Sequence, residues 1–170
     1  MRILGRIVGV RSTEQSVDIK VGGSCPPDII IFCRSRVMRI MVMDGQGGGV
    51  GRSLLEALKE RFPEAELIAV GTNATATANM MKSGVINGAT GENAVAYNSK
   101  RADVIVGPVG IVMADAMLGE ITPAMAAAVA SNDAKLILIP MNKCHVTIVG
   151  VESKRLGDYI AEAADEIAGM

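Results

Sequence analysis

From Met38 onward, the chain alternates between short apolar runs and stretches in which apolar residues recur every three or four positions. The short runs predict buried β-strands, and the longer period predicts amphipathic helices. The predicted strands are residues 39–44, 67–71, 104–107, 136–139 and 146–151. The predicted helices are residues 50–62, 74–82, 91–100, 111–118 and 123–130, and a closing helix with an apolar stripe from Leu156 to Ile167.

Strands that alternate with helices predict an α/β fold, here a three-layer Rossmann-like sandwich with four parallel strands. In the numbering of the predicted strands, we favour the order 2-1-3-4-5, with 3-2-1-4-5 as the alternative. Only residues 140–145 connect the fourth and fifth predicted strands. Because a parallel crossover needs roughly a dozen residues, this link predicts a hairpin and an antiparallel fifth strand at the sheet edge.

The first 37 residues have a different pattern from the rest of the chain. Apolar runs at residues 3–10 and 29–33 flank a polar stretch that contains Gly22-Gly23 and Pro26-Pro27. This N-terminal extension is either a leader created by an upstream start codon, with Met38 as the working initiator, or a small β appendage used in oligomerisation. We favour the leader because the segment carries no recognisable site. Residues 38–170 form the predicted Rossmann-like domain.

Composition excludes several classes of partner. The 17 Lys and Arg residues against 18 Asp and Glu give a net charge of −1, so no basic field exists for nucleic acid. Aromatic residues make up 2% of the chain, which removes stacking platforms for single strands. No stretch reaches the roughly 18 apolar residues of a membrane span. Three cysteines without a CxxC pair fit free thiols, so we expect a bacterial protein of the cytoplasm.

A glycine-rich turn between the first predicted strand and the first predicted helix is the strongest candidate binding site. Its residues are Asp44, Gly45, Gln46, Gly47, Gly48, Gly49, Val50 and Gly51. Glycines let the backbone approach a ligand closely, and the N-terminus of the following helix suits a phosphate. The spacing of the glycines is similar to the turn of short-chain dehydrogenases, and the Lys-Ser/Thr pair of a Walker A loop is missing. A tight turn without any ligand is the alternative interpretation.

Other small or polar residues follow the second, third and fourth predicted strands. They are Gly71, Thr72 and Asn73, then Gly107, Pro108 and Gly110, and finally Asn142. In open α/β sheets the ligand crevice lies beyond the carboxyl ends of the strands, where the strand order switches. Ordinary turn chemistry also explains these residues. We favour binding because uncharged Thr72, Asn73 and Asn142 come directly after buried strands.

Thr90, Glu92 and Asn93 lie at the start of the predicted helix 91–100 and have two interpretations. In the first, Thr90 caps the helix and Glu92 complements the helix dipole in the first turn. In the second, Glu92 and Asn93 lie over the glycine-rich turn as ligand contacts.

An NAD(P)-linked oxidoreductase would need two further features. An acidic residue after the second strand would hold an adenosine ribose, but that strand is followed by Thr72 and Asn73. A short-chain dehydrogenase needs a Tyr-xxx-Lys pair, whereas Lys100 is only three positions after Tyr97. Both observations lower the hypothesis of hydride transfer, although NADP or an acyl-nucleotide still suits the turn.

The chain offers no clear catalytic residue or metal site. His145 is its only histidine, and it opens an apolar run with no carboxylate nearby in sequence. Cys144 and His145 would point to opposite faces of a strand, which disfavours a nucleophile–base pair. No His or Cys spacing supports metal binding.

Five stretches of the chain together are similar to one known family. They are Asp44-Gly45-Gln46-Gly47-Gly48-Gly49, Gly71-Thr72-Asn73-Ala74, residues 88–94, residues 107–111, and Leu138-Ile139-Pro140-Met141-Asn142. They resemble a bacterial family of unknown function whose members are short Rossmann-like proteins, found mainly in Firmicutes and related anaerobes. The resemblance extends from about Met38 to the C-terminus. It implies the Rossmann-like fold and Met38 as a start, and it implies no reaction.

The sequence therefore predicts recognition of a nucleotide or another small phosphorylated ligand, with residues 45–51 cradling the anion. The cofactor stays open, and NAD(P) or another nucleotide would fit the turn. The alternatives are an NAD(P)-linked oxidoreductase and a structural or regulatory homo-oligomer without a ligand.

Overall fold

The computed structural model describes residues 37–141 and 146–170. Their strands are β1 (Arg39–Asp44), β2 (Glu66–Gly71), β3 (Asn87–Thr90), β4 (Val104–Pro108) and β5 (Lys135–Ile139). Their helices are α1 (Gly49–Arg61), α2 (Ala74–Met81), α3 (Glu92–Ser99), α4 (Ala116–Gly119), α5 (Pro123–Ala130) and α6 (Leu156–Ala168), with a 3₁₀ turn at Val109–Val112. The predicted extension up to residue 36, and the candidates Asn142, Cys144 and His145, lie outside the described residues.

The five strands form one parallel sheet in the order β3-β2-β1-β4-β5, which confirms an α/β fold with a parallel sheet. Asp44 is level with Gly71, and Gly71 is level with Thr90, so three strands end together at the carboxyl edge. From β1 the chain moves to β2 and β3, and then returns to the other side of β1 as β4. The switch in strand order therefore lies between β1 and β4.

Helices pack on both faces of the sheet because successive side chains of β1 point to opposite sides. Ile40 and Val42 are fully buried in one core cluster, and Met41 and Met43 in the other. The first cluster includes Leu54 and Leu58 of α1, Met80 of α2, and Ile160 and Ile167 of α6. The second includes Val95 of α3, and Met125 and Val129 of α5. Among the described residues, no helix combines the length and apolar character needed to cross a bilayer.

The predicted order 2-1-3-4-5 is wrong as a whole, because its antiparallel fifth strand does not exist and an unpredicted strand joins the other edge. The first four predicted strands do lie in the predicted order 2-1-3-4, as β2-β1-β4-β5. Residues 146–151 form no strand, and the chain turns there at Gly150, whose φ is 85°. The last strand is β5, which pairs in parallel with β4. The short connection predicted a hairpin only if residues 146–151 formed a strand, and this apolar run does not join the sheet.

Strand β3 was not predicted, and its presence also changes the strand order. Its sequence, Asn-Gly-Ala-Thr, has no apolar alternation and only one β-branched residue, and three of its four residues are exposed at the sheet edge. The observed order β3-β2-β1-β4-β5 has the same numbers as the alternative 3-2-1-4-5, but the numbers refer to different strands. In that alternative the third strand was residues 104–107, which the structure places beside β1.

The predicted helix at residues 111–118 is also wrong, because α4 is only four residues long and has non-helical backbone at Met117 and Leu118. A 3₁₀ turn covers Val109–Val112, and the backbone at Asp115, Met117 and Leu118 is left-handed, with φ of 63°, 56° and 62°. Left-handed backbone costs about 1–2 kcal/mol for each non-glycine residue. Because buried apolar residues at irregular intervals imitate a helical period, the sequence did not reveal this segment.

Candidate functional site

The glycine-rich turn connects the end of β1 at Asp44 to the start of α1 at Gly49. The N–H of Gly48 donates to the carbonyl of Gly45 at 2.9 Å and closes the turn. Gly48 is the N-cap residue of α1, and its φ of 65° explains why glycine is needed there.

Helix α2 holds the outer side of this turn through two asparagine side chains. The Asn79 amide donates to the Gly47 carbonyl at 2.8 Å, and the Asn73 amide donates to the Gln46 carbonyl at 3.1 Å. Asn73 also caps α2, because its Oδ1 accepts from the N–H of Ala76 at 2.8 Å. The two asparagines thus fix the turn to α2 at two successive carbonyl groups.

Asp44 fixes the turn from beneath. Its carboxylate is buried, Oδ1 accepts from the N–H of Gly45 at 2.8 Å, and Oδ2 accepts from the N–H of Gly51 at 2.8 Å. Burial raises the pKa of this carboxyl above its ordinary value, against the lowering effect of the N–H donors, and the nearby charge of Glu120 raises it further. Asp44 therefore does for α1 what an N-cap side chain usually does.

Three glycines of the turn are required by close packing. A Cβ on Gly48 would lie 2.4 Å from the carbonyl oxygen of Ala76. Cβ atoms on Gly45 and Gly51 would come within 2.6 and 2.8 Å of neighbouring side chains. Replacing any of the three would force backbone or side chains to move.

Gly47 and Gly49 differ from those three glycines. Both are exposed, neither has a positive φ, and a Cβ on either would meet no atom within 4 Å. Their N–H groups have no acceptor among the described residues. The fold itself does not require glycine at these two positions, so they mark open space in front of the turn.

Glu120 reaches this turn from a distant part of the chain. Its Oε2 accepts from the N–H of Gln46 at 2.7 Å, the Thr72 hydroxyl at 2.5 Å and the Asn73 amide at 2.9 Å. Partial burial would raise the pKa of Glu120, but these three donors outweigh it and hold the pKa below its ordinary value. The carboxylate thus stays ionised and joins the loops after β1 and β2.

The segment that carries Glu120, residues 113–120, has an unusual backbone. Left-handed Asp115, Met117 and Leu118 are followed by Gly119 with φ of 85°. The side chain of Met117 lies directly over Gly45, whereas Leu118 is 97% exposed. Non-glycine residues in this conformation cost of order 1–3 kcal/mol each and persist only where surrounding contacts hold them.

A cavity of about 530 Å³ lies between the glycine-rich turn and the 113–120 segment. Its lining is Asp44, Gly45, Gln46, Gly47, Gly48, Gly49, Val50, Pro108, Met113, Asp115, Ala116, Met117, Leu118 and Met141. It lies beyond the carboxyl ends of β1 and β4, at the switch in strand order where open α/β sheets bind ligands. Most of the turn and Pro108 were predicted as site residues.

Other predicted site residues lie outside this lining. Gly71 and Gly107 let strands and loops pack closely, since a Cβ would lie 2.2 Å from the Thr77 hydroxyl or 2.3 Å from the Met43 carbonyl oxygen, respectively. Gly110 is buried in the 3₁₀ turn. Thr72 and Asn73 border the cavity through their bonds to Glu120 and Gln46, and the Thr72 N–H also donates to the Asp44 carbonyl at 3.1 Å.

The predicted site residues at the start of α3, Thr90, Glu92 and Asn93, lie away from the cavity. Thr90 does not cap α3, because Gly91 is the N-cap residue and the Thr90 hydroxyl pairs with that of Thr77 at 2.7 Å. Glu92 accepts from the Thr122 hydroxyl at 2.5 Å, and Asn93 lines a separate groove beside β3. These residues therefore do not line the cavity at the turn.

Sequence reasoning missed Glu120, Asn79 and the methionines of the cavity wall. No motif identifies Glu120, which lies in an exposed-looking Leu-Gly-Glu stretch before the Thr122-Pro123 helix start. Asn79 is recognisable only after α2 is placed beside the turn. These contacts join segments more than 30 residues apart, which local patterns do not reveal.

The cavity has neither a metal site nor a catalytic tyrosine among the described residues. Within residues 37–141 and 146–170, no group of three or more His, Cys, Asp or Glu side chains could hold a metal ion. Tyr97 lies on the exposed side of α3, where the Arg101 guanidinium lies 3.6 Å from the centre of its ring.

Comparison with known proteins identifies the family of this chain. No curated protein matches the chain. The model of one protein family, described as a domain of unknown function, matches residues 39–170, nearly all of the predicted Rossmann-like domain. The chain therefore belongs to the DUF3842 family.

Proposed function

We propose that this protein binds a small phosphorylated, nucleotide-like ligand in the cavity between the glycine-rich turn and the 113–120 segment. The observation that carries this proposal is the open space at Gly49. This glycine lines the cavity at the switch in strand order, yet neither its φ nor its packing requires glycine. A ligand that approaches the backbone closely explains why a Cβ is absent there.

The phosphate end of the ligand would lie at the N-terminus of α1. Two exposed N–H groups, those of Gly47 and Gly49, have no acceptor among the described residues. Free N–H groups and the positive end of the helix dipole attract an anion. Asp44 already uses the N–H of Gly51, so we place the anion at the outer rim of the turn.

The other end of the ligand would lie against an apolar wall. Met113, Met117 and Met141 line the cavity together with Pro108. Thioether side chains are polarizable and adapt to flat groups such as a nucleobase. A volume of about 530 Å³ falls within the range of small-molecule sites, so a nucleotide fits both ends.

A thermal-shift screen with nucleotides, dinucleotides and acyl-CoAs tests the proposal. A ligand at about 100 times its Kd stabilises the native state by roughly 2.7 kcal/mol, which gives a measurable rise in Tm. The absence of a shift with any phosphorylated compound would contradict the proposal and favour a structural or regulatory oligomer. A change in absorbance with a reduced nicotinamide would instead indicate an oxidoreductase.

Two matched glycine variants locate the binding site. Gly49→Ala places a methyl group in the cavity without a clash, so it should abolish the shift and leave the unliganded Tm unchanged. Gly157→Ala is the control, because Gly157 is also exposed in the first turn of a helix and has equally open surroundings. If both variants kept the full shift, the ligand would bind elsewhere.

A further inference from the structure

Three hydrogen-bond donors converge on a single oxygen atom beside the cavity. The Gln46 N–H, the Thr72 hydroxyl and the Asn73 amide all lie within 2.9 Å of Oε2 of Glu120. The donors come from the loops after β1 and β2, whereas Glu120 comes from the segment after β4. Several uncharged donors aimed at one point are the surroundings that an anionic oxygen requires.

The segment that supplies Glu120 has several residues in left-handed backbone. Asp115, Met117 and Leu118 have left-handed backbone, and the Leu118 side chain is almost fully exposed. Glu120 is the contact that ties the end of this segment to Gln46, Thr72 and Asn73. Loss of this contact would allow the segment to relax toward ordinary backbone conformations.

We propose that these three donors form an anion subsite of the ligand, and that Glu120 occupies it as an internal competitor. A phosphate oxygen of the ligand takes the place of Oε2, and the displaced Glu120 releases the 113–120 segment. This inference rests on the proposed function and adds to it a second phosphate contact and a regulated segment. Glu120 and a phosphate cannot share the subsite, because both are anions and the donors serve one oxygen.

Inorganic pyrophosphate is the probe, and its affinity is measured by titration calorimetry. Glu120→Gln keeps the size of the side chain and removes its charge, so the variant should bind pyrophosphate about tenfold more tightly than the natural protein. Glu120→Ala should bind at least as tightly as Glu120→Gln. Glu64→Gln, an exposed carboxylate change elsewhere, should leave the affinity unchanged.

A double variant tests whether the gain comes from the same donors. Thr72→Val removes one donor and keeps the shape of the side chain, so adding it to Glu120→Gln should reverse most of the gain. If Glu120→Gln bound pyrophosphate equally well or more weakly, Glu120 would not be a competitor. A variant that lost only nucleotide affinity would indicate that Glu120 holds a ribose hydroxyl, and this would also overturn the proposal.

Hydrogen exchange provides a readout of the segment itself. The Asp115 N–H donates to the Ile121 carbonyl at 2.7 Å, and the Ile121 N–H donates to the Ala116 carbonyl at 3.2 Å. Saturating pyrophosphate should speed exchange of these two amides, and Glu120→Gln should speed it without any ligand. Unchanged exchange in both cases would overturn the release of the segment.

The experiments test the role of Glu120 separately from the binding of a ligand in the cavity. A nucleotide-induced Tm shift that Gly49→Ala abolishes would support the cavity as the ligand site, whatever Glu120→Gln does. Such a shift together with unchanged pyrophosphate affinity in Glu120→Gln would overturn only the role of Glu120. No binding of nucleotides or pyrophosphate to any variant would overturn both.

Discussion

The glycine-rich turn and the 113–120 segment face each other across one cavity, but different forces hold them. The turn is fixed by a buried carboxylate beneath it and by two asparagines beside it. The segment combines left-handed backbone with a partly exposed carboxylate contact at its end. The turn therefore forms the rigid wall of the cavity, and in our proposal the 113–120 segment is the movable wall.

The two carboxylates of the site show the same difference. Asp44 is buried and supports the fold of the turn from within. Glu120 is only partly buried, and its donors are ones that a ligand could also use. A carboxylate beside a glycine-rich turn can thus be part of the scaffold or an occupant of the site, and burial distinguishes the two.

The largest expected loss of stability comes from a substitution in the glycine-rich turn, the rigid wall of the cavity. Gly48→Ala forces an alanine into φ of 65° and places its Cβ 2.4 Å from the Ala76 carbonyl oxygen. Because helix α2 cannot easily retreat, we expect a loss of about 2–5 kcal/mol in the free energy of unfolding. Urea denaturation measures this loss. Gly47→Ala is the control and should change stability little; an equal loss in both would mean that the turn is misplaced.

The next largest effect concerns the support beneath the turn. Asp44→Asn leaves one acceptor where two are needed, because its amide nitrogen must face the N–H of Gly45 or Gly51. A buried unsatisfied donor costs about 1–3 kcal/mol, which denaturation would detect. The same substitution at exposed Asp133 should be neutral, and a neutral Asp44→Asn would refute the role of this carboxylate.

The dependence of stability on pH should separate the two carboxylates by sign. The raised pKa of Asp44 means that the native state binds its proton more tightly, so this group's contribution falls as pH rises above 3.8. The lowered pKa of Glu120 means that its contribution is present above pH 4.5 and is lost as pH falls. Stability differences between the natural protein and Asp44→Asn or Glu120→Gln, measured across acid pH, should have opposite slopes.

The sequence predicted those parts of the molecule whose cause is local. Apolar runs identified β1, β2 and β4, because strands buried on both faces need continuous apolar residues. The run Leu-Ile-Leu-Ile identified β5 in the same way, although this edge strand is only half-buried. The Thr122-Pro123 start and the apolar run to Ala130 predicted α5 with the observed bounds. The glycine-rich turn was likewise evident, since its glycines lie together in the chain.

The features that the sequence did not predict arise from contacts between distant residues. β3 is a strand because Gly71 and its neighbours in β2 offer a pairing edge, although its own residues have little strand propensity. The 113–120 segment is left-handed because Ile111, Ala116 and Ile121 are buried beneath it and Glu120 is held at the turn. No local pattern of residues encodes either cause.

The smallest expected change in stability comes from a substitution in the 113–120 segment, the movable wall of the cavity. Leu118 has φ of 62° and is 97% exposed, so Leu118→Gly removes backbone strain and almost no packing. We expect a gain of up to about 1 kcal/mol in the free energy of unfolding, because glycine adopts this conformation without a Cβ clash. In the helix that the sequence predicted for residues 111–118, the same change would cost about 1 kcal/mol. Glu60→Gly, at an exposed position inside α1, is the matched control and should show that cost. A loss in Leu118→Gly equal to that of the control would mean that this segment is helical and that it stores no strain for release.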